Sequence, residues 1–216
     1  MKSVIAVLLA GSVFIPALAA RGSEQETVEH CAKMVRQFRQ MPESGIPRSV
    51  LRHSKGLAII TVIKAGFIFS GKGGHGVVVT RTAHGWSGPS FITQGGAGWG
   101  LQAGAEATDF IFVLNTNAAI RAFSRGGNVT LGADASAAAG PVGRDAHVAV
   151  TPTAAVYTYS RAKGLFAGAA VEGAIIATER GENARYYGKP VYASEILRGE
   201  VRAPEGARVL QSALGD

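Results

Sequence analysis

The sequence predicts an α+β protein: a mainly antiparallel β-sheet, barrel-like if it closes, with N-terminal, inserted and C-terminal helices. Three observations predict it. An apolar stripe of helical period at residues 28–38 gives way, from Leu57 onward, to short runs of apolar and β-branched residues. Glycine, proline and polar residues separate those runs, and glycine alone reaches 29 of 216 residues, about twice the usual share of roughly 7%. Helical spacing returns at residues 117–123 and again from residue 193. Glycines at irregular spacing imply tight turns and close backbone approach, and the lack of a triplet period excludes collagen.

The chain opens with Met1-Lys2-Ser3, an apolar run at residues 4–15, Pro16 and Ala17-Leu18-Ala19-Ala20. That order reads as a secretory signal peptide, residues 1–19, and makes residues 20–216 a single exported domain, periplasmic or secreted. Ser23 and Glu26 then form a capping box, behind which Val28, Cys31, Ala32, Val35 and Phe38 recur at helical spacing. A helix of this length needs tertiary contacts to persist, so the stripe is expected to pack on the sheet and not to insert in lipid. Pro47 opens a second short helix at residues 48–53, closed by Gly56.

Strands are expected at residues 57–63, 67–69, 77–80, 90–93, 110–114, 148–150 and 155–159, with the glycine cluster Gly71-Lys72-Gly73-Gly74-His75-Gly76 as a turn between two of them. Residues 117–123, ending at Gly126-Gly127, form an inserted helix; residues 193–197 and 205–214 form two more. Gly100-Leu101-Gln102-Ala103-Gly104-Ala105 is echoed by Gly164-Leu165-Phe166-Ala167-Gly168-Ala169, which reads as two strands with the same need for small residues.

Most chemical motifs fail on context. The glycine cluster contains G-x-G-x-x-G, but the β-branched Val77-Val78-Val79 follows where a dinucleotide site needs a helix. The five histidines, His30, His53, His75, His84 and His147, form no metal-binding spacing, and one cysteine excludes both a disulfide framework and a Cys-based zinc site. Cys31 sits on the apolar stripe, as a buried inert thiol does. No G-x-S-x-G elbow occurs. An enzyme would have to bring His and Asp together from separate strands, for instance Asp109 or Asp134, in a deep polar pocket. No catalysis is therefore expected, and no cofactor or metal.

Charge is the feature that survives. The chain carries 22 basic and 15 acidic side chains, +7 in all, and no acid lies between Glu43 and Glu106. That acid-free stretch holds Arg48, Arg52, Lys55, Lys64, Lys72 and Arg81, with Lys33, Arg36 and Arg39 just upstream. A positive pole beside an amphipathic helix is how peripheral proteins meet anionic lipid, each cation near the surface being worth about 1 kcal/mol.

Several blocks carry a family resemblance. Ser54-Lys55-Gly56-Leu57-Ala58-Ile59-Ile60, Lys64-Ala65-Gly66-Phe67, Trp86-Ser87-Gly88-Pro89-Ser90 and Gly104-Ala105-Glu106-Ala107-Thr108-Asp109-Phe110 resemble the SYLF domain. Leu131-Gly132-Ala133-Asp134-Ala135-Ser136, Ala139-Gly140-Pro141-Val142-Gly143-Arg144 and the stretch from Tyr157 to Gly168 are similar to its later part. The match runs in order over residues 28–214. The resemblance implies a lipid-binding module of the exported bacterial type. Eukaryotic members bind phosphoinositides partly through a basic or amphipathic N-terminal segment, and some yeast relatives bind and bundle actin. The expected partner is an anionic phospholipid surface, met by Lys33, Arg36 and Arg39 on the resemblance and by Arg48, Arg52 and Lys55 on charge. A protein-binding scaffold, with actin as the family precedent, is the alternative. No nucleic acid partner is expected.

Overall fold

The computed structural model describes residues 23–41, 45–131, 136–142, 154–162 and 175–215, with 65–72, 96–105 and 162 described by their backbone alone. The expected export segment at 1–19, the strand at 148–150, Asp134, His147 and the second copy of the glycine echo lie outside these residues.

Helix α1 (Glu24–Gln40) starts where the capping box places it: Glu26 N donates to Ser23 Oγ at 3.2 Å and Ser23 N donates to the Glu26 carboxylate at 2.9 Å. Helix α2 (Arg48–His53) follows Pro47, but Ser54 ends it, not Gly56, which already belongs to the sheet.

The sheet is built on two strands far longer than the separate runs in the sequence. Strand β1 (Gly56–Thr82, 27 residues) and β3 (Ser90–Leu114, 25 residues) pair antiparallel from Gly56 opposite Leu114 to Val78 opposite Ser90. The two-residue β2 (Gly85–Trp86) closes the hairpin end, with Gly85 at φ +102°. The register shifts between Gly66 and Ile68, where β3 advances from Gly104 to Gly100. After α3 (Asn117–Ser124) come β4 (Asn128–Thr130), β5 (Ala137–Ala139), β6 (Val156–Ala162) and β7 (Ile175–Thr178). Strands β6 and β7 pair with opposite halves of β3, β4 adds to β7, and β5 adds to β6 as the one parallel pair among the described strands. The result is a strongly curled, antiparallel-dominated sheet with helices at its N-terminus, in an insertion and at its C-terminus, as the sequence predicts.

The glycine cluster at 71–76 is not a turn. It lies inside β1, with Gly73 opposite Gly95 on β3. Its glycines serve a different need: β1 folds back on itself, so that residues 74–81 lie against residues 55–62. Arg81 N donates to Lys55 O at 2.8 Å. A Cβ on Gly74 would stand 2.9 Å from Thr61 O, one on Gly56 2.7 Å from Val79 O, and one on Gly76 would collide with Ile59 O.

Both faces of this doubled hairpin are covered, which explains the run of apolar and β-branched residues at 57–62. On one face Leu57, Ile59, Val77, Val79, Ile111 and Val113 meet Val28, Cys31, Met34, Val35 and Phe38 of α1. On the other, Ala58, Ile60, Val78, Phe112 and Leu114 meet Ala119 and Phe123 of α3 and Leu197 of α5 (Ala193–Leu197). The stripe of α1 is therefore consumed in packing, as expected.

Helix α4 (Arg180–Tyr187) has no sequence signature, because what it buries is polar: Asn183 Oδ1 accepts from Phe91 N at 2.8 Å and Glu182 is buried beside it. Helix α6 (Arg208–Leu214), entered through a 3-10 turn at Glu205–Ala207, returns the chain to α1 and to Trp86, whose Nε1 donates to Gly215 O at 2.8 Å.

Gly76→Ala is expected to lower the urea-measured unfolding free energy by about 3 kcal/mol, the upper end for overpacking, because the obstacle is main chain. Gly73→Ala, with nothing within 4 Å of the added Cβ, is expected to leave stability unchanged or raise it by up to about 1 kcal/mol.

Candidate functional site

The six cations expected to form one surface are divided by the fold. Lys33 is exposed on α1, and Arg48 and Arg52 are exposed on α2, four residues apart; among the described residues none of the three pairs with a carboxylate. The other three are engaged. Arg36 Nη2 donates to Val209 O at 3.3 Å and Arg39 Nη1 to Ala213 O at 2.6 Å, so both arginines fasten α6 onto α1. Arg39 thereby satisfies a carbonyl at a helix C-terminus, where positive charge is favoured. Lys55 Nζ donates to Asn117 Oδ1 at 2.9 Å and ties the start of the hairpin to α3.

A second polar cluster joins four elements. Thr61 on β1, Asp109 on β3 and Arg161 on β6 are successive cross-strand partners. Thr61 Oγ1 donates to Asp109 Oδ1 at 2.8 Å, and Arg161 Nη2 donates to Asp109 Oδ2 at 2.9 Å and to Gln37 Oε1 of α1 at 2.6 Å. The Thr61 oxygen is left to accept from His30 Nε2 at 3.0 Å. Burial alone would raise the Asp109 carboxyl; the nearby His30 ring, 3.9 Å away, hydrogen bonds from Thr61 and Arg161 and the guanidinium charge outweigh it and hold it at about 2. This brings a His and an Asp together from separate elements, but every polar atom of the carboxylate points at a partner. The cluster clamps α1 to the sheet, and no pocket among those described opens on it. Cys31 is equally inert: it is buried on α1, and desolvation raises its thiol to about 12. Among the described residues no three His, Cys, Asp or Glu side chains gather in a way that would hold a metal ion.

The sequence reading did not single out the surface beside α3. A cavity of about 190 Å³ lies along one face of that helix, lined by Ala118, Arg121, Ala122, Arg125, Gly127, Asn128 and Val129. The signal was present: two arginines four residues apart, one in the last turn of the helix and one at its C-cap, with Ala122 between them and Gly126-Gly127 behind. It was hidden because α3 lies beyond the acid-free stretch, after Glu106 and Asp109.

A family model described as "Ysc84: Las17-binding protein actin regulator" matches residues 95–216. The chain belongs to the Ysc84 family. The SYLF resemblance is the same family seen from its motifs. LAS seventeen-binding protein 3 of Saccharomyces cerevisiae is 49% identical over 176 residues, covering 77% of this chain and 38% of that protein. An SH3 domain-containing protein of Schizosaccharomyces pombe is 46% identical over 176 residues, covering 77% and 41%. The human SH3 domain-containing YSC84-like protein 1 is 40% identical over 191 residues, covering 85% and 56%. The chain thus spans from about two-fifths to just over half the length of these relatives.

These Ysc84 relatives are eukaryotic, which overturns the expectation of an exported bacterial protein, periplasmic or secreted. That expectation rested on Lys2, the apolar run at 4–15 and the small residues Ala17 and Ala19, a local pattern that does not by itself specify export. The Ysc84 family is described by binding and regulation and not by catalysis. Its description and the names of its members favour the protein-binding alternative over a phospholipid surface.

In the Ysc84 domain the Asp109 clamp predicts an acid-labile step. Its carboxyl stands at about 2 in the folded state against an ordinary 3.8. A depressed folded-state value stabilises the fold above the unfolded value, so the gain, about 2 kcal/mol, is complete at neutral pH and is lost as pH falls from about 4 toward 2. Asp109→Asn is expected to cost about 3 kcal/mol at pH 7, by leaving Arg161 without its carboxylate, and to flatten the stability profile between pH 4 and 2. Urea titrations of both proteins across that range measure it.

Proposed function

We propose that the domain is a non-catalytic protein-binding module that docks on an acidic protein surface, with actin filaments as the partner. The observation that carries this reading is the family match: the model describes an actin regulator, and relatives close to half identical are named for binding LAS seventeen. The charge agrees. The chain is +7 overall, and Lys33, Arg48 and Arg52 are the three cations of the expected surface that meet no carboxylate and no hydrogen-bond acceptor among the described residues. Complementary charge of this kind steers encounter and selects partners, and it leaves the sheet and its two cores undisturbed.

Arg36, Arg39 and Lys55 have a different part. They hold α6 and α3 in place, so their substitution acts on stability before it acts on binding.

Filament co-sedimentation, run beside flotation with anionic liposomes, tests the proposal. The domain is expected to pellet with filaments, and Lys33→Glu, Arg48→Glu and Arg52→Glu together are expected to weaken pelleting at least tenfold, about 1.4 kcal/mol, with circular dichroism unchanged. A domain that floats with liposomes and leaves filaments unbound contradicts it.

A further inference from the structure

We propose that the face formed by α3, the α3–β4 turn and the start of α4 and α5 is a second binding site, and that it takes an acidic segment of a protein partner through Arg121, Arg125, Arg180 and Tyr192. The inference deepens the protein-binding reading and rests on it, but its residues are separate from Lys33, Arg48 and Arg52.

The site combines small apolar side chains with two guanidinium groups. Ala118, Ala122 and Val129 line the 190 Å³ cavity together with Arg121 and Arg125, which are exposed and four residues apart. Gly126 follows Arg125. Its φ of +65° is a left-handed conformation suited to glycine, and a Cβ there would stand 3.5 Å from Arg180 Nη2. Arg180 in turn lies 5.8 Å from the centre of the Tyr192 ring. Tyr192 is 62% exposed, the most exposed of the large hydrophobic side chains among the described residues.

Three features make this face unlike an ordinary solvated one. Among the described residues none of the three arginines meets a carboxylate within 4 Å, a state they share with Arg48, Arg52 and Arg202, and here three such arginines border one surface. The nearby Glu195 is already occupied: its carboxylate accepts from Tyr192 N at 2.8 Å. Arginine and tyrosine are also the side chains that most often dominate protein interfaces, because each offers a rigid plane with a polar edge.

The chemistry favours an acidic peptide over a compact phosphate group. Arg121 stands in the last turn of α3 and Arg125 at its C-cap, where the helix dipole is negative and concentrated anionic charge is disfavoured. Carboxylates spaced along an extended segment reach the guanidinium groups two at a time, while the segment's own methylenes cover the alanines and the valine. Arg121 and Arg125 then neutralise successive acids, and Tyr192 packs on the segment's backbone beyond Arg180.

The test is fluorescence anisotropy of a labelled peptide of about twelve residues with Asp and Glu at alternate positions, against its Lys counterpart. The expected result is binding of the acidic peptide only, weakened at least tenfold by Arg121→Glu with Arg125→Glu and severalfold by Tyr192→Ala. Lys33→Glu with Arg48→Glu and Arg52→Glu should leave the affinity within twofold once ionic strength screens net charge. Matching thermal melts guard against misfolding, and Arg121→Gln with Arg125→Gln, which adds no repulsion, should lose binding as well. No peptide binding, or binding that the arginine variants leave unchanged, overturns the proposal. So does a defect of those variants seen on phosphatidylserine vesicles and not on the peptide. Peptide binding without filament co-sedimentation would sink the filament reading and leave this site standing; the reverse pattern would do the opposite.

Discussion

Where β1 lies against itself, Gly74 and Gly76 bring main chain onto main chain, and both hydrophobic cores are organised around that contact. The doubled hairpin has no solvent face along residues 57–62, so α1 must cover one side and α3 with α5 the other. Side chains at 74 and 76 would hold the two halves apart and open both cores together. The polar clamp at Asp109 belongs to the same arrangement: it sits on the strand pairs next to this contact and fixes α1, the helix that closes the first core.

The basic side chains divide into two populations with different work. Arg36, Arg39, Lys55 and Arg161 spend their charge inside the fold, on helix carbonyls, an asparagine and a buried carboxylate. Lys33, Arg48 and Arg52 on one side, and Arg121, Arg125 and Arg180 on the other, find no carboxylate partner among the described residues. Lys189 and Arg202 are further exposed cations without a carboxylate partner among the described residues. The two groups of three lie on helical surfaces carried mainly by α1, α2 and α3, whose apolar residues are already committed to a core. Such surfaces are rigid, which limits the ordering cost of meeting a partner.

The helices were legible where local chemistry is complete in the sequence. Ser23 and Glu26 fix the start of α1, Thr116 caps α3 through Ala119 N at 3.1 Å, and the apolar spacing gives residues 193–197 and 205–214. The strands were legible as β-structure but not as two strands of 27 and 25 residues, because glycine reads as punctuation unless the backbone it approaches is known. Helix α4 was invisible, since Asn183 is buried by long-range hydrogen bonds to Phe91 and Ser90, Glu182 is buried beside it, and neither leaves an apolar period. The cations illustrate the same limit. Their acid-free clustering is plain in the sequence, whereas the carbonyls of α6 that engage Arg36 and Arg39 lie more than 170 positions away.

Hydrogen exchange of the domain, alone and saturated with actin filaments, addresses the central claim most directly, that a rigid doubled hairpin presents cationic helices to a protein partner. Amides of β1 and β3 at residues 57–62, 77–79 and 110–114 should be the slowest in both states, and filaments should slow exchange in α2 and the exposed side of α1 without altering the sheet. Uniform protection across the domain, or fast exchange in those core segments when it is free, would contradict the account.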